Sequence, residues 1–321
     1  MLSEQMKSQI NIGPAGWSYQ NWQHVACPVP RPRGFHEVSY LANYFPVIEV
    51  KSSFEQPLRP EITAVWLKQV EHIPQFQFTA KLCRIFTHEC ILRREDVRAA
   101  QYGFAPLLEA GRLGAILMQF PSSFRASKEN QNYLTRLREA FRDFPLVAEL
   151  RHVDWNQEDL LRQLTDREIG FANIDQPQSP HSMPVTAHAT SQIGYFRLHG
   201  RNYAEWNSSA SNSFSLHNGA SEQTRYNYLY STEQLAAWSS RIKSVSQQTV
   251  KTFVVTNNHF RGQALVNALQ LMSIISNRQV NVPPQLRNAY SKLIPITKNI
   301  PKRRSLFMFP VTTTRHQLIA S

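Results

Sequence analysis

The chain has 321 residues, 42% of them hydrophobic, enough to bury a full core as one large domain or two small ones. Lys and Arg number 35 against 23 Asp and Glu, a net charge of +12 that fits either a nucleic-acid or other polyanionic partner or a solvated surface that is simply basic. Cys27, Cys83 and Cys90 are an odd number without metal-ligand spacing, which excludes a disulfide framework and fits a reducing compartment.

The first residues (MLSEQMKSQI) hold no cationic segment followed by an apolar one, so no signal peptide is expected. No apolar run approaches the roughly 18 residues of a membrane span, and a cytoplasmic location is expected. Asn11–Trp17 reads as a first strand running into a tight turn, with Gly13 and Gly16 at a spacing that matches no nucleotide fingerprint. A Pro/Arg-rich loop leads to a helix near Phe35–Phe45. Val47–Ser53 is a second strand with Glu49, Lys51 and Ser53 on one face. A helix over Glu61–His72 precedes a third strand, Phe76–Leu82, with Lys81 at its end and His88 in the loop that follows.

A helix over Glu95–Ala110 stops at glycine, and Ala115–Phe120 is the fourth strand, carrying Gln119. The helix Ser127–Asp143 turns Leu134, Leu137 and Phe141 inward. The fifth strand begins at Leu146 and passes from apolar residues straight into Glu149, Arg151, His152 and Asp154; alternation puts Glu149 and Arg151 on one face and His152 on the other. Asn156–Glu168 is helical and Gly170–Asp175 is the sixth strand, whose Asn173 and Asp175 share a face. Gln176–Thr190 holds three prolines and no helical period, so the sixth helix is expected to be missing or reduced.

Ile193–Gly200 is the seventh strand, with Arg197 and His199 pointing the same way, and a long polar stretch, Asn202–Tyr228, follows. Ser231 with Gln234 makes a capping-box start for the next helix. Lys251–Asn257 is the eighth strand, and Gln263–Ser276 is the last regular helix. Beyond Asn277 the chain turns aperiodic and basic, with Lys302-Arg303-Arg304, and reads as a peripheral tail.

Eight alternations at crossover spacing predict a (β/α)8 TIM barrel, an α/β fold with a parallel eight-stranded sheet. The barrel domain would span residues 10–276 and the basic tail residues 277–321. Its sites are expected at the C-terminal strand ends, where polar residues gather: Glu49, Lys51, Lys81, Gln119, Glu149, Arg151, Asp175, Arg197, His199, Asn257 and Asn258.

GPAGWSYQNW (Gly13–Trp22), FTAKLCRIFTHE (Phe78–Glu89), LMQFPSSF (Leu117–Phe124), AELRHVDW (Ala148–Trp155), FRLHGR (Phe196–Arg201) and TNNHFRGQALVNAL (Thr256–Leu269) resemble the successive signatures of the YecE-like family. These are bacterial TIM-barrel proteins catalogued as a domain of unknown function. The resemblance runs from about Ile12 to Leu271. It implies a polar pocket of Trp17, Tyr19, Lys81, His88, Gln119, Glu149, Arg151, His152, Asp175, Arg197, His199, Asn257 and Asn258. A likeness of such barrels to the endonuclease IV group implies DNA binding as an alternative. At the second strand the family reads Glu-x-Asn-Ser-Thr-Phe-Tyr, whereas this chain has Glu49-Val-Lys-Ser-Ser-Phe-Glu55.

Two functional readings stand. In one, Glu149, His199 and Asp175 do acid–base work in a hydrolase or lyase, on an anionic substrate gripped by Arg151 and Arg197. In the other, the protein binds nucleic acid or an anionic metabolite without turnover. Glu149 with Arg151 is also a plausible internal salt bridge that sets barrel geometry. Glu49, Glu149, Asp175 and His199 have the chemistry for Zn²⁺ or Mn²⁺, but Lys51, Lys81, Arg151 and Arg197 would repel a divalent ion. The pocket is therefore read as holding neither metal nor cofactor. Trp17, Tyr19, Trp22 and Trp155 suit either packing or stacking on a sugar or base.

Overall fold

The structure, a computed structural model, describes residues 8–202 and 226–298. Strands β1 (Gln9–Pro14), β2 (Val47–Val50), β3 (Gln77–Lys81), β4 (Leu113–Gln119), β5 (Leu146–Glu149), β6 (Gly170–Asp175), β7 (Ile193–Leu198) and β8 (Lys251–Thr256) are all parallel. They form one eight-stranded sheet in the order β1-β8-β7-β6-β5-β4-β3-β2. Its two end strands meet: Ala15 bridges to Glu49, and the Gly16 amide donates to the Glu49 carbonyl at 2.8 Å. The result is a nearly closed TIM barrel, as the alternation of elements predicts.

Helices fill the crossovers. They are α1 (Glu37–Ala42), α2 (Pro60–Gln69), the single turn α3 (Arg84–Thr87), α4 (Arg94–Glu109), α5 (Lys128–Ala140), α6 (Glu158–Asp166), α7 (Thr232–Ser246) and α8 (Gln263–Ser276). The sequence-level boundaries hold to within a few residues, and the Ser231–Gln234 capping box at the start of α7 forms with both of its hydrogen bonds. Strand residues are buried on both faces, one against the barrel interior and the other against the helices. Inside, near the bottom, β4 carries a bulge. Phe78 pairs with Leu113 but Thr79 pairs with Ala115, so Gly114 is the extra residue. A Cβ there would collide with the Phe253 ring, so only glycine lets that ring fill the interior.

The described part of the β6–β7 connection, residues 176–192, has no helix. Asn173 holds it instead. Its Oδ1 accepts from the Thr186 hydroxyl (2.8 Å) and the His188 amide (2.7 Å), while its Nδ2 donates to the His188 carbonyl (2.9 Å). Residues 277–298 depart from the expected peripheral tail. Helix α9 (Pro284–Ala289) and the turn after it bury Leu286 and Leu293 completely, and Val280 bridges to Thr297. Apolar residues at irregular, Pro-punctuated spacing give this docking no periodic signature. The polar stretch over residues 203–225 and the cluster Lys302-Arg303-Arg304 lie outside the described residues. Among the described residues no helix is long and apolar enough to cross a membrane.

Candidate active site

Alternation along β7 turns Tyr195, Arg197 and His199 into the barrel and Phe196 out against Trp238 of α7. Arg197 is only 1% exposed and sits at the centre of an ionic lattice. Its Nε and Nη2 donate to the two oxygens of Glu49 at 2.9 and 2.7 Å, a bidentate pair. Its Nη1 donates to Glu149 Oε2 and to Gln119 Oε1, both at 2.8 Å. The other oxygen of Glu149 accepts from Arg151 Nε (2.8 Å) and Nη2 (2.7 Å) and lies 3.3 Å from His199 Nε2. The Tyr195 hydroxyl reaches Glu49 Oε2 and Thr79 Oγ1, each at 3.1 Å. Side chains of β2, β3, β4, β5 and β7 are thus joined across the interior.

Burial on its own would raise the pKa of Glu149, but Arg197 and Arg151 outweigh it and hold the carboxyl well below the usual range. Burial pushes His199 down to about 3 despite the pull of Glu149, so its imidazole is neutral. The Asn257 amide nitrogen lies 3.0 Å from His199 Nδ1, which then accepts, leaving Nε2–H to face Glu149. Both ring nitrogens of His199 are therefore engaged.

Above the lattice, Lys81 closes β3, with Nζ 3.7 Å from the centre of the Phe54 ring. Burial, reinforced by Arg197, lowers its pKa to about 7. His88 stands at the same rim, edge-on to Phe54, and burial and then Lys81 lower it to about 4. Lys51 interacts electrostatically with Lys81 on one side and lies over the Tyr19 ring (5.2 Å) on the other. It lines, with Gly16, Trp17, Ser18, Tyr19 and Ser52, a cavity of about 290 Å³, near the lower bound for small-molecule sites. Tyr19 stacks on His259 at 4.3 Å, and Trp17 packs edge-on against Trp66. Trp22 and Trp155 are buried packing residues.

The structure therefore brings together Lys81, His88, Gln119, Glu149, Arg151, Arg197, His199 and Asn257, with Trp17 and Tyr19 at the adjoining cavity. Three expected members point elsewhere. Asp175 faces the helix layer, where both its oxygens accept from Arg201 Nε (2.9 and 3.0 Å) and one lies 3.2 Å from Trp238 Nε1. His152 stacks on His181, with Nδ1 2.9 Å from Asp154. Asn258 ties β8 to α8 through Asn267 (2.8 Å) and to the Tyr228 carbonyl (2.7 Å). Asp175 lies on the outer face of β6, and His152 and Asn258 lie past the ends of β5 and β8. Glu49, which the sequence offers only as a candidate metal ligand, is instead a pillar of the lattice. Tyr195 was legible from its parity with Arg197; Phe54 carried no local signal.

Among the described residues, no three of His, Cys, Asp and Glu gather as metal ligands. A profile of the family described as "Protein of unknown function DUF72" matches residues 11–290. The chain belongs to the DUF72 family. The YecE-like resemblance of its motifs lies within this same family, and the match continues into α9, beyond the end of those motifs. The DUF72 chain is similar to the UPF0759 protein YunF of Bacillus subtilis, 26% identical over 291 residues, which cover 86% of this chain and 98% of that one. Among solved structures it is similar to a DUF72 protein of Thermotoga maritima, with a TM-score of 0.69 and 29% identity over 84% of this chain and 99% of the other. It is also similar to one of Enterococcus faecalis, with a TM-score of 0.70 and 25% identity over 86% and 98%.

Proposed function

We propose that the mouth of the barrel receives a small anion, a molecule bearing a carboxylate or phosphate, and that the protein acts on it by proton-transfer chemistry as a hydrolase or lyase. The observation that carries this reading is the charge balance at the strand ends. Among the described residues Arg197, Arg151 and Lys81 meet two buried carboxylates, Glu49 and Glu149, and both of those are already hydrogen-bonded to guanidinium groups. Such an excess of cations in a low-dielectric bowl favours an anionic guest. The buried Oδ1 of Asn257, which has no hydrogen-bond partner among the described residues, adds an acceptor for a hydroxyl of that guest.

The two groups that the sequence suggests as acid and base are better suited to support. Glu149 is held ionised by two arginines, and a carboxylate so stabilised is a weak base. His199 is neutral, with both nitrogens engaged. In this reading they fix Arg197, which braces the site from below, and Arg151, which grips the anion, and proton transfer falls to Lys81 at the rim, whose pKa of about 7 suits it. The net charge of +12 favours a second reading, a nucleic-acid partner bound over the surface.

Calorimetric titration with inorganic phosphate, pyruvate and a short DNA duplex separates the two. The pocket reading expects phosphate or pyruvate to bind, and Arg151→Gln to weaken that binding by about tenfold or more, a loss of about 1.4 kcal/mol. DNA affinity that falls steeply with salt and ignores Arg151→Gln, with no small anion bound, would favour the surface reading and sink the first.

A further inference from the structure

We propose that Lys81 is an amine nucleophile that forms an imine with the carbonyl group of the anionic guest, which makes the substrate an aldehyde or ketone carrying a carboxylate or phosphate. The inference rests on the anion-pocket reading and narrows its substrate class.

The geometry is that of a reactive lysine more than of an ion-pair partner. Lys81 ends β3 with the inward parity of Gln77 and Thr79, so its side chain enters the barrel at the mouth. It is 7% exposed, and no carboxylate lies within ion-pair distance of it among the described residues. Glu49 and Glu149, the anions that act on it, are bound to Arg197 and Arg151. What touches its ammonium is the Phe54 ring, an uncharged surface. The other charged groups that act on it are cations, Arg197 from β7 and Lys51 from the end of β2. Desolvation beside other cations is the standard means of keeping a lysine amine neutral and nucleophilic. Here the amine titrates at about 7, so a large share carries a free lone pair at neutral pH.

The step balances without an added oxidant or reductant. The Nζ lone pair attacks the carbonyl carbon and forms the C–N bond. The carbonyl oxygen takes up the two amine protons and leaves as water, and a proton from solvent converts the imine to an iminium ion. That cation then draws the electron pair of a neighbouring C–C or C–H bond, which is lyase chemistry. The proton released passes to solvent at the mouth. Arg151 would hold the carboxylate or phosphate.

The test uses the full chain at pH 7 with sodium cyanoborohydride and either pyruvate or formaldehyde, the smallest carbonyl, followed by peptide mass spectrometry. Lys81 is expected to acquire the reduced adduct about ten times faster than any other lysine, and excess inorganic phosphate should slow its labelling by pyruvate. Lys81→Arg, which keeps the charge, should abolish the dominant adduct while still binding phosphate in the calorimeter. If Lys81 labels no faster than surface lysines while phosphate still binds, the imine is wrong and the anion pocket stands. If phosphate fails to bind as well, both readings fall.

Discussion

Arg197 is the residue on which the site depends, because three of its five donors go to two carboxylates with no water-exposed alternative. A buried network of this kind adds little net stability against an apolar replacement, but removing one partner leaves a buried charge uncompensated. Glu149→Gln keeps the shape and deletes the charge that answers Arg151 and half of Arg197. It should lower the unfolding free energy by about 3–5 kcal/mol, read as a shift in the urea midpoint at unchanged slope. Arg197→Met should cost less in the Glu149→Gln background than in the native chain, since the two share one interaction. Strict additivity in that cycle would show that they do not.

At the scale of elements, most of the barrel could be read from the sequence, and so could the pairing of Glu149 with Arg151 and of Arg197 with His199, because strand parity is a local property. Which parity faces inward is not. A parallel strand is apolar on both faces, so nothing in GFANID says that Asn173 and Asp175 face outward, towards the β6–β7 connection and α7, while Ala172 and Ile174 meet the interior. That ambiguity hides the outward turn of Asp175, whereas His152 and Asn258 lie past the strand ends, where alternation no longer decides, and the apolar residues of α9 follow no period. Asn173 shows what the outward polar residue does: it replaces an absent helix by bonding the chain that runs past it. Asn173→Ala would leave the part-buried amide and carbonyl of His188 without these partners. A loss of about 2–4 kcal/mol is expected in denaturant titration, with earlier proteolysis in residues 176–192. A change under about 0.5 kcal/mol would mean that the connection holds itself.

Over the whole molecule the buried ionisable groups set the response to acid. His199 and His259 titrate at about 3 when folded, each because burial disfavours its charged form, against about 6.5 in an unfolded chain. The unfolded state therefore binds more protons throughout that interval, and stability falls as pH drops from about 6.5 to about 3, by about 1.4 kcal/mol per pH unit for each imidazole. Glu149, depressed in the folded state, adds to the loss once pH falls below about 4.3. Guanidinium titrations at stepped pH should show a steady decline beginning near 6.5; a flat profile down to pH 4 would contradict it.

The grip of β7 on β2 also bears on how the chain comes together. Glu49 and Arg197 are 148 positions apart, so the first four strands carry an anion whose counterpart is supplied only by the last four. A polypeptide severed between Phe124 and Ser127 should give two pieces that are each poorly ordered in isolation, and circular dichroism should register mutual rescue on mixing. Such a lock makes completion of the ring and assembly of the bowl a single event, so a half-built intermediate would have no pocket to offer.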